Sequence, residues 1–166
     1  MNEIHSVKAQ TKALAQELVG ICTQRNLKVS TAESCTGGMI SAAITGVSGS
    51  SAVIELGVCS YSNRIKTEVL GVSAETLGQY SEYSLQCAEE MAAGARRVSG
   101  ADFAVSTTGV AGPSGGTSEH PVGEVFIGIS SEKACFAKRF LFCGDRETVR
   151  AKAVLESLKM LIISIN

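Results

Sequence analysis

No two of the six cysteines in this 166-residue chain stand in a C-x-x-C pair. Cys22, Cys35, Cys59, Cys87, Cys135 and Cys143 therefore offer neither the usual zinc spacing nor the thiol–disulfide redox motif. A disulfide framework is not expected, because a chain this long buries a core of its own. Neither sign of charge prevails: 15 Lys and Arg face 16 Asp and Glu, a formal net charge of -1. That balance argues against a bulk electrostatic grip on nucleic acid. No apolar stretch approaches the roughly 18 residues of a membrane span, and Met160-Leu161-Ile162-Ile163 is short. Met1-Asn2-Glu3-Ile4-His5 carries no basic segment leading into an apolar run, so no signal peptide is expected. Repeats, linkers and low-complexity segments are missing too. What is present is globular in composition, with 45% hydrophobic and 19% charged residues. The length predicts one domain over residues 1–166, reduced, soluble and cytoplasmic.

Residues 4–25 have helical spacing, with Val7, Leu14, Leu18, Ile21 and Cys22 along one face. Leu27 to Ala32 alternates as a strand does, and Met39 to Thr45 reads as the helix that follows. Val53 to Tyr61 predicts a buried strand. Ser73 is placed to cap a short helix, and Gly100 to stop a longer one over 84–98. Asp102 to Thr108 is another strand, and the glycine-dense stretch 109–121 holds both prolines of the chain. Residues 122–130 and 134–142 form a hairpin, and 146–163 a closing helix. Helices alternating with strands, then a hairpin, predict an α/β fold: one three-layer α/β/α domain on a mixed, mostly parallel sheet.

Three stretches have the residue types for chemistry. Glu33-Ser34-Cys35-Thr36-Gly37-Gly38 sits between a strand and a helix, where a side chain can stand at the sheet's carboxyl edge beside helix N–H groups. That geometry serves a nucleophile and an oxyanion hole. It serves equally a helix start capped by Ser34 or Thr36, the commoner use of such residues. Ser34 would need a base. His5 lies near a terminus, and nothing in the sequence aims His120 at Ser34. A lysine can replace histidine when burial keeps it neutral, and Lys66 follows the second strand; a solvated lysine is the ordinary alternative. Cys35 beside Ser34 is expected to be a structural thiol. Residues 107–116, dense in glycine, suit an anion-binding nest or a plain surface loop. Arg146 and Arg150 share a helix face and could hold a phosphate, or form a solvated first turn.

Taken together and in order, these blocks resemble the CinA C-terminal domain family. The resemblance rests on Ala32 to Gly38; on Gly49-Ser50-Ser51-Ala52-Val53, Tyr61-Ser62-Asn63 to Lys66, and Leu70-Gly71-Val72; on Thr108 to Pro113 with Gly115-Gly116 and Pro121-Val122-Gly123; and on Gly144-Asp145-Arg146 with Val149-Arg150. It covers the chain from about residue 5 to the end. It implies a nicotinamide-nucleotide amidohydrolase that converts nicotinamide mononucleotide and water to nicotinate mononucleotide and ammonia, in pyridine nucleotide salvage. It implies a serine and a lysine, with no metal and no cofactor. Ser34 would be the nucleophile, Lys66 its base, and Tyr61 would orient the pair. The substrate-binding positions it implies are Glu33, Cys35, Thr36, Gly37, Gly38, Asn63, Thr108, Gly109, Gly112, Arg146 and Arg150. Backbone N–H groups of residues 35–38 are expected to form the oxyanion hole. The phosphate is expected at the 109–116 loop and at Arg146 or Arg150. Two departures stand out: His120 where the family often has lysine, and Glu124 where a neutral residue is usual. A carboxylate in that loop, if it lined the pocket, would disfavour a phosphate-bearing substrate.

Other readings of the same residues are a catalytically silent relative that binds a nucleotide or a protein partner, associated with competence or damage, and a different small amidase with the same dyad. Direct DNA binding is disfavoured by the charge balance and the lack of a basic run. A homodimer is expected for a small enzyme of this kind.

Overall fold

A computed structural model describes residues 3–166. Met1 and Asn2, part of the stretch read for a signal peptide, lie outside the described residues. Helix α1 (Glu3–Arg25) leads into strand β1 (Val29–Glu33), helix α2 (Met39–Thr45), a short 3₁₀ turn at Ser50–Ala52 and strand β2 (Ile54–Cys59). Three helices follow, α3 (Asn63–Leu70), α4 (Ala74–Tyr80) and α5 (Leu85–Ser99), then strands β3 (Phe103–Gly109), β4 (Glu124–Ser131) and β5 (Cys135–Leu141), and helix α6 (Arg146–Ile165).

The five strands form one sheet in the order β2-β1-β3-β4-β5. β1 runs parallel to both β2 and β3, while β4 is antiparallel to β3 and β5. Only β4 therefore opposes the rest, giving the mixed, mostly parallel sheet expected. β1 lies between two parallel neighbours with both faces covered, and all five of its residues are buried. β2 is an edge strand, and its residues alternate between half-buried and exposed rather than forming the buried run expected of Val53 to Tyr61.

Helices α1, α2 and α6 cover one face of the sheet. Leu18, Ile40, Ile127, Leu158 and Leu161 meet there, all fully buried. In α6, Val154, Leu158, Leu161 and Ile165 fall in a stripe of helical period, so one face of the helix closes the core. Each such aliphatic side chain contributes about 1.5–3 kcal/mol by leaving water. On the other face, Leu70 of α3 and Cys87, Met91 and Ala95 of α5 pack with Ala32 and Ala104 of the sheet. The result is the three-layer α/β/α arrangement. No helix of the described residues is long and apolar enough to cross a membrane.

The topology decides where a site can be. β1, β2 and β3 are parallel, so the chain leaves all three at one edge of the sheet. Residues 34–38, 60–66 and 109–116 are brought together there. The turn into α6 reaches the same edge, because β5 runs with these strands.

Candidate active site

Ser34 follows the last residue of β1 and is 8% exposed. Its hydroxyl does not cap the next helix. The N-cap of α2 is Gly38, which has no side chain to offer, and the capping is done by Glu33. The Glu33 carboxylate is fully buried and accepts the N–H groups of Gly38 at 3.0 Å, Ile40 at 3.0 Å and Ser41 at 2.8 Å, with the Ser41 hydroxyl at 3.0 Å. These first-turn N–H groups have no partner within the helix, and a negative charge at that end is favourable. Glu33, expected against the substrate, instead holds the turn from inside. That leaves Ser34 Oγ free to face the cleft.

Gly37 and Gly38 make the turn possible. Their φ angles are +61° and +93°, a region L side chains rarely adopt. A Cβ on Gly37 would also sit 3.2 Å from an Arg150 nitrogen. Arg150 reaches across from α6 and donates to the carbonyls of Cys35 at 3.0 Å and Thr36 at 2.7 Å. Its guanidinium clamps the turn and does not line the cleft, so it is not placed to meet a phosphate. The hydroxyl of Thr36 is joined to that of Thr107 at 2.7 Å, again inside the wall. Thr108 donates to the Glu82 carbonyl at 2.6 Å. Glu33, Thr36, Gly37, Gly38, Thr108 and Arg150 thus shape the site without lining it.

Lys66 comes from α3. Ser62 caps that helix by accepting the Ile65 N–H, which puts Lys66 in its first turns, pointing inward. It is 1% exposed, and its Nζ lies 3.3 Å from Ser34 Oγ. Burial pushes the ammonium's pKa down; the neighbouring Cys87, Glu82, Cys35 and Tyr61 pull it back in part. The solvated lysine that sequence alone would favour is not what the fold contains.

Ser34, Cys35, Tyr61, Asn63, Lys66, Gly109, Gly112 and Arg146 all line one open cleft of about 200 Å³. Val110, Ala111, Ser114 and Gly115 complete the wall from the 109–116 loop. Arg146 donates to the Gly112 carbonyl at 2.8 Å and to the Tyr61 hydroxyl at 3.2 Å. Tyr61 is 63% exposed and, among the described residues, makes no hydrogen bond with Ser34 or Lys66, so the orienting contact expected of it is not formed. In the turn, the Gly37 and Gly38 N–H groups are already taken, by the Ser34 carbonyl and by Glu33. Of the N–H groups expected to form an oxyanion hole, those of Cys35 and Thr36 have no backbone acceptor among the described residues, and Cys35 lines the cleft. Cys35 itself is a poor nucleophile, since burial pushes its thiol up to about 12.

Two lining residues were not singled out from the sequence: Glu82 and Tyr83, in the segment before α5. Glu124 does not line the cleft. It is 1% exposed and accepts from Arg139 and from His120 Nδ1 at 2.7 Å. The other His120 ring nitrogen contacts Ser81 Oγ at 3.3 Å, and Tyr83 packs edge-on against the ring. The departures at 120 and 124 thus brace the Glu82–Tyr83 segment and add no charge to the pocket.

The sequence and the fold are similar to those of known proteins. The sequence profile of the CinA C-terminal domain matches residues 11–165. A putative competence-damage inducible protein of Thermoanaerobacter sp. (strain X514) is 45% identical over 144 residues, 86% of this chain and 35% of that one. A CinA-like protein of Geotalea daltonii is 44% identical over 87% of this chain and 35% of its own. The chain spans about a third of the length of these curated relatives. Among solved structures, the competence/damage inducible protein CihA from Agrobacterium tumefaciens superposes with a TM-score of 0.91 at 40% identity, covering 95% of this chain and 96% of that one. A CinA superfamily protein from Klebsiella pneumoniae gives 0.89 at 35% identity, covering 93% and 97%. On the profile match, the relatives and the shared fold, this chain belongs to the CinA C-terminal domain family.

Proposed function

We propose that this chain is an amidohydrolase that releases ammonia from the carboxamide of nicotinamide mononucleotide. The observation that carries the reading is the buried contact between Ser34 Oγ and Lys66 Nζ at 3.3 Å, with Lys66 shifted toward the free amine. A serine with no such base is a weak nucleophile. The substrate class comes from the motif resemblance, and Arg146 on the cleft wall suits its phosphate.

The chemistry balances as an acyl transfer. Ser34 Oγ attacks the carboxamide carbon and passes its proton to Lys66 Nζ. The oxyanion that forms is stabilised by backbone N–H, that of Cys35 foremost. The C–N bond breaks, Lys66 returns the proton to the leaving nitrogen, and ammonia departs. Water, giving its proton to Lys66, attacks the resulting ester. The second intermediate collapses to the acid, and Ser34 recovers the proton.

The test is ammonia release from nicotinamide mononucleotide by the wild type, Ser34→Ala and Lys66→Ala, with and without a chelator. We expect turnover in the wild type, loss of about 10³-fold or more in each variant, and no effect of chelation. A folded wild type without turnover contradicts the reading.

A further inference from the structure

A serine–lysine dyad has no need of a carboxylate beside it, yet the cleft contains one. Among the described residues, Glu82 is the only carboxylate lining the pocket, which it shares with the cations Lys66 and Arg146. Its backbone is fixed: Thr108 holds its carbonyl at 2.6 Å, and Ser81 Oγ accepts the next residue's N–H at 3.1 Å. Its carboxylate joins none of the ion pairs and accepts no hydrogen bond among the described residues. Arg146 donates to Gly112 and Tyr61 and makes no bond to Glu82.

An unpaired, half-buried carboxylate is costly. This one also pulls the Lys66 proton on, against what a base requires. Both penalties disappear when a cation occupies the cleft.

We propose that the Glu82 carboxylate selects a cationic aromatic ring, an N-alkylated pyridinium, over a neutral ring bearing the same carboxamide. The inference rests on the amidohydrolase reading of the cleft and names the group that recognises the substrate's charge. Tyr61 and Tyr83 on the same walls supply aromatic faces, which also favour a cation. A bound pyridinium offsets Glu82 and repels the ammonium form of Lys66, so substrate itself moves the lysine toward the free amine. The groups around Lys66 are Ser34 and Cys35 from the turn after β1, Tyr61 before α3, Glu82 before α5 and Cys87 on α5. Of these only Glu82 is a carboxylate.

The experiment measures Kd on the full chain carrying Ser34→Ala, to prevent turnover. The probes are nicotinamide mononucleotide and its reduced form, whose dihydropyridine ring is neutral while carboxamide, ribose and phosphate are kept. We expect the cationic form to bind at least tenfold tighter, a preference of about 1.4 kcal/mol. Adding Glu82→Gln should abolish that preference, whereas Glu82→Asp should retain part of it. Equal binding of the two probes, no binding of the cation, or a preference that survives Glu82→Gln overturns the assignment. The first arm needs no change at Glu82, so it decides even if the Gln variant fails to fold. Ammonia release by the wild type is measured alongside. Turnover without a cation preference removes Glu82 from this role alone. Absence of turnover removes the amidohydrolase reading, and the binding arms still decide on Glu82.

Discussion

Lys66 accepts a proton only as the free amine, and burial lowers its pKa from the ordinary 10.5. The sign follows directly. kcat/KM should rise with pH through an ionisation below 10.5, since higher pH populates the amine. Glu82→Gln should move that limb to still lower pH, because it removes a carboxylate that holds the proton on. A limb centred at or above the ordinary lysine value would contradict the first statement, and a limb unmoved or raised by Glu82→Gln the second. The two arginines of α6 separate in the same way. Arg146→Ala should raise KM about tenfold or more with little loss of fold, since it faces the cleft. Arg150→Ala should leave KM nearly unmoved, lower kcat and cost about 1–3 kcal/mol in a denaturant melt, since it releases the Cys35 and Thr36 carbonyls. Spacing places both arginines on one helix face but does not say which one turns inward. Glu33 was hidden for a similar reason. Its role is fixed by three N–H groups at the cap and first turn of a helix that begins six residues later, and only the fold brings them to it.

Elements were more legible than contacts. Helix α2 matches its expected bounds, Ser73 caps α4 and Gly100 ends α5 as expected, while Ser84, expected inside α5, is its N-cap. Each signal is local, so the sequence carries it. Helix α3 is where local reading falls short. Nothing in Asn63 to Leu70 shows that Lys66 is buried, because what buries it is α5, brought alongside by a chain reversal. Gly94 marks that contact. A Cβ there would lie 1.9 Å from the Leu70 carbonyl oxygen at the end of α3. In an exposed helix, replacing glycine by alanine stabilises by about 1 kcal/mol. Here Gly94→Ala should destabilise by about 1–3 kcal/mol and reduce kcat, because α3 must shift and carries Lys66 with it. Stabilisation in a thermal melt would show that α3 and α5 are less tightly apposed.

At the scale of the molecule, the six cysteines report how the chain closes. Cys22, Cys35 and Cys87 are buried, and burial pushes their thiols up to about 11, about 12 and about 12. Cys59, Cys135 and Cys143 are exposed. Iodoacetamide at mildly alkaline pH should label only these last three in the native protein, and all six in denaturant, as read by mass spectrometry. Labelling of Cys35 in the native state would mean that the turn bearing Ser34 opens.

The clamp on that turn has a consequence in time. Arg150 holds carbonyls 114 and 115 positions earlier in the chain. A ribosome adding about 5–20 residues per second needs roughly 6–23 s to cover that interval. Throughout it the nascent serine is already made but its anchor is not. The turn bearing Ser34 therefore stays unclamped through that interval, and its geometry is fixed only when α6 emerges and docks.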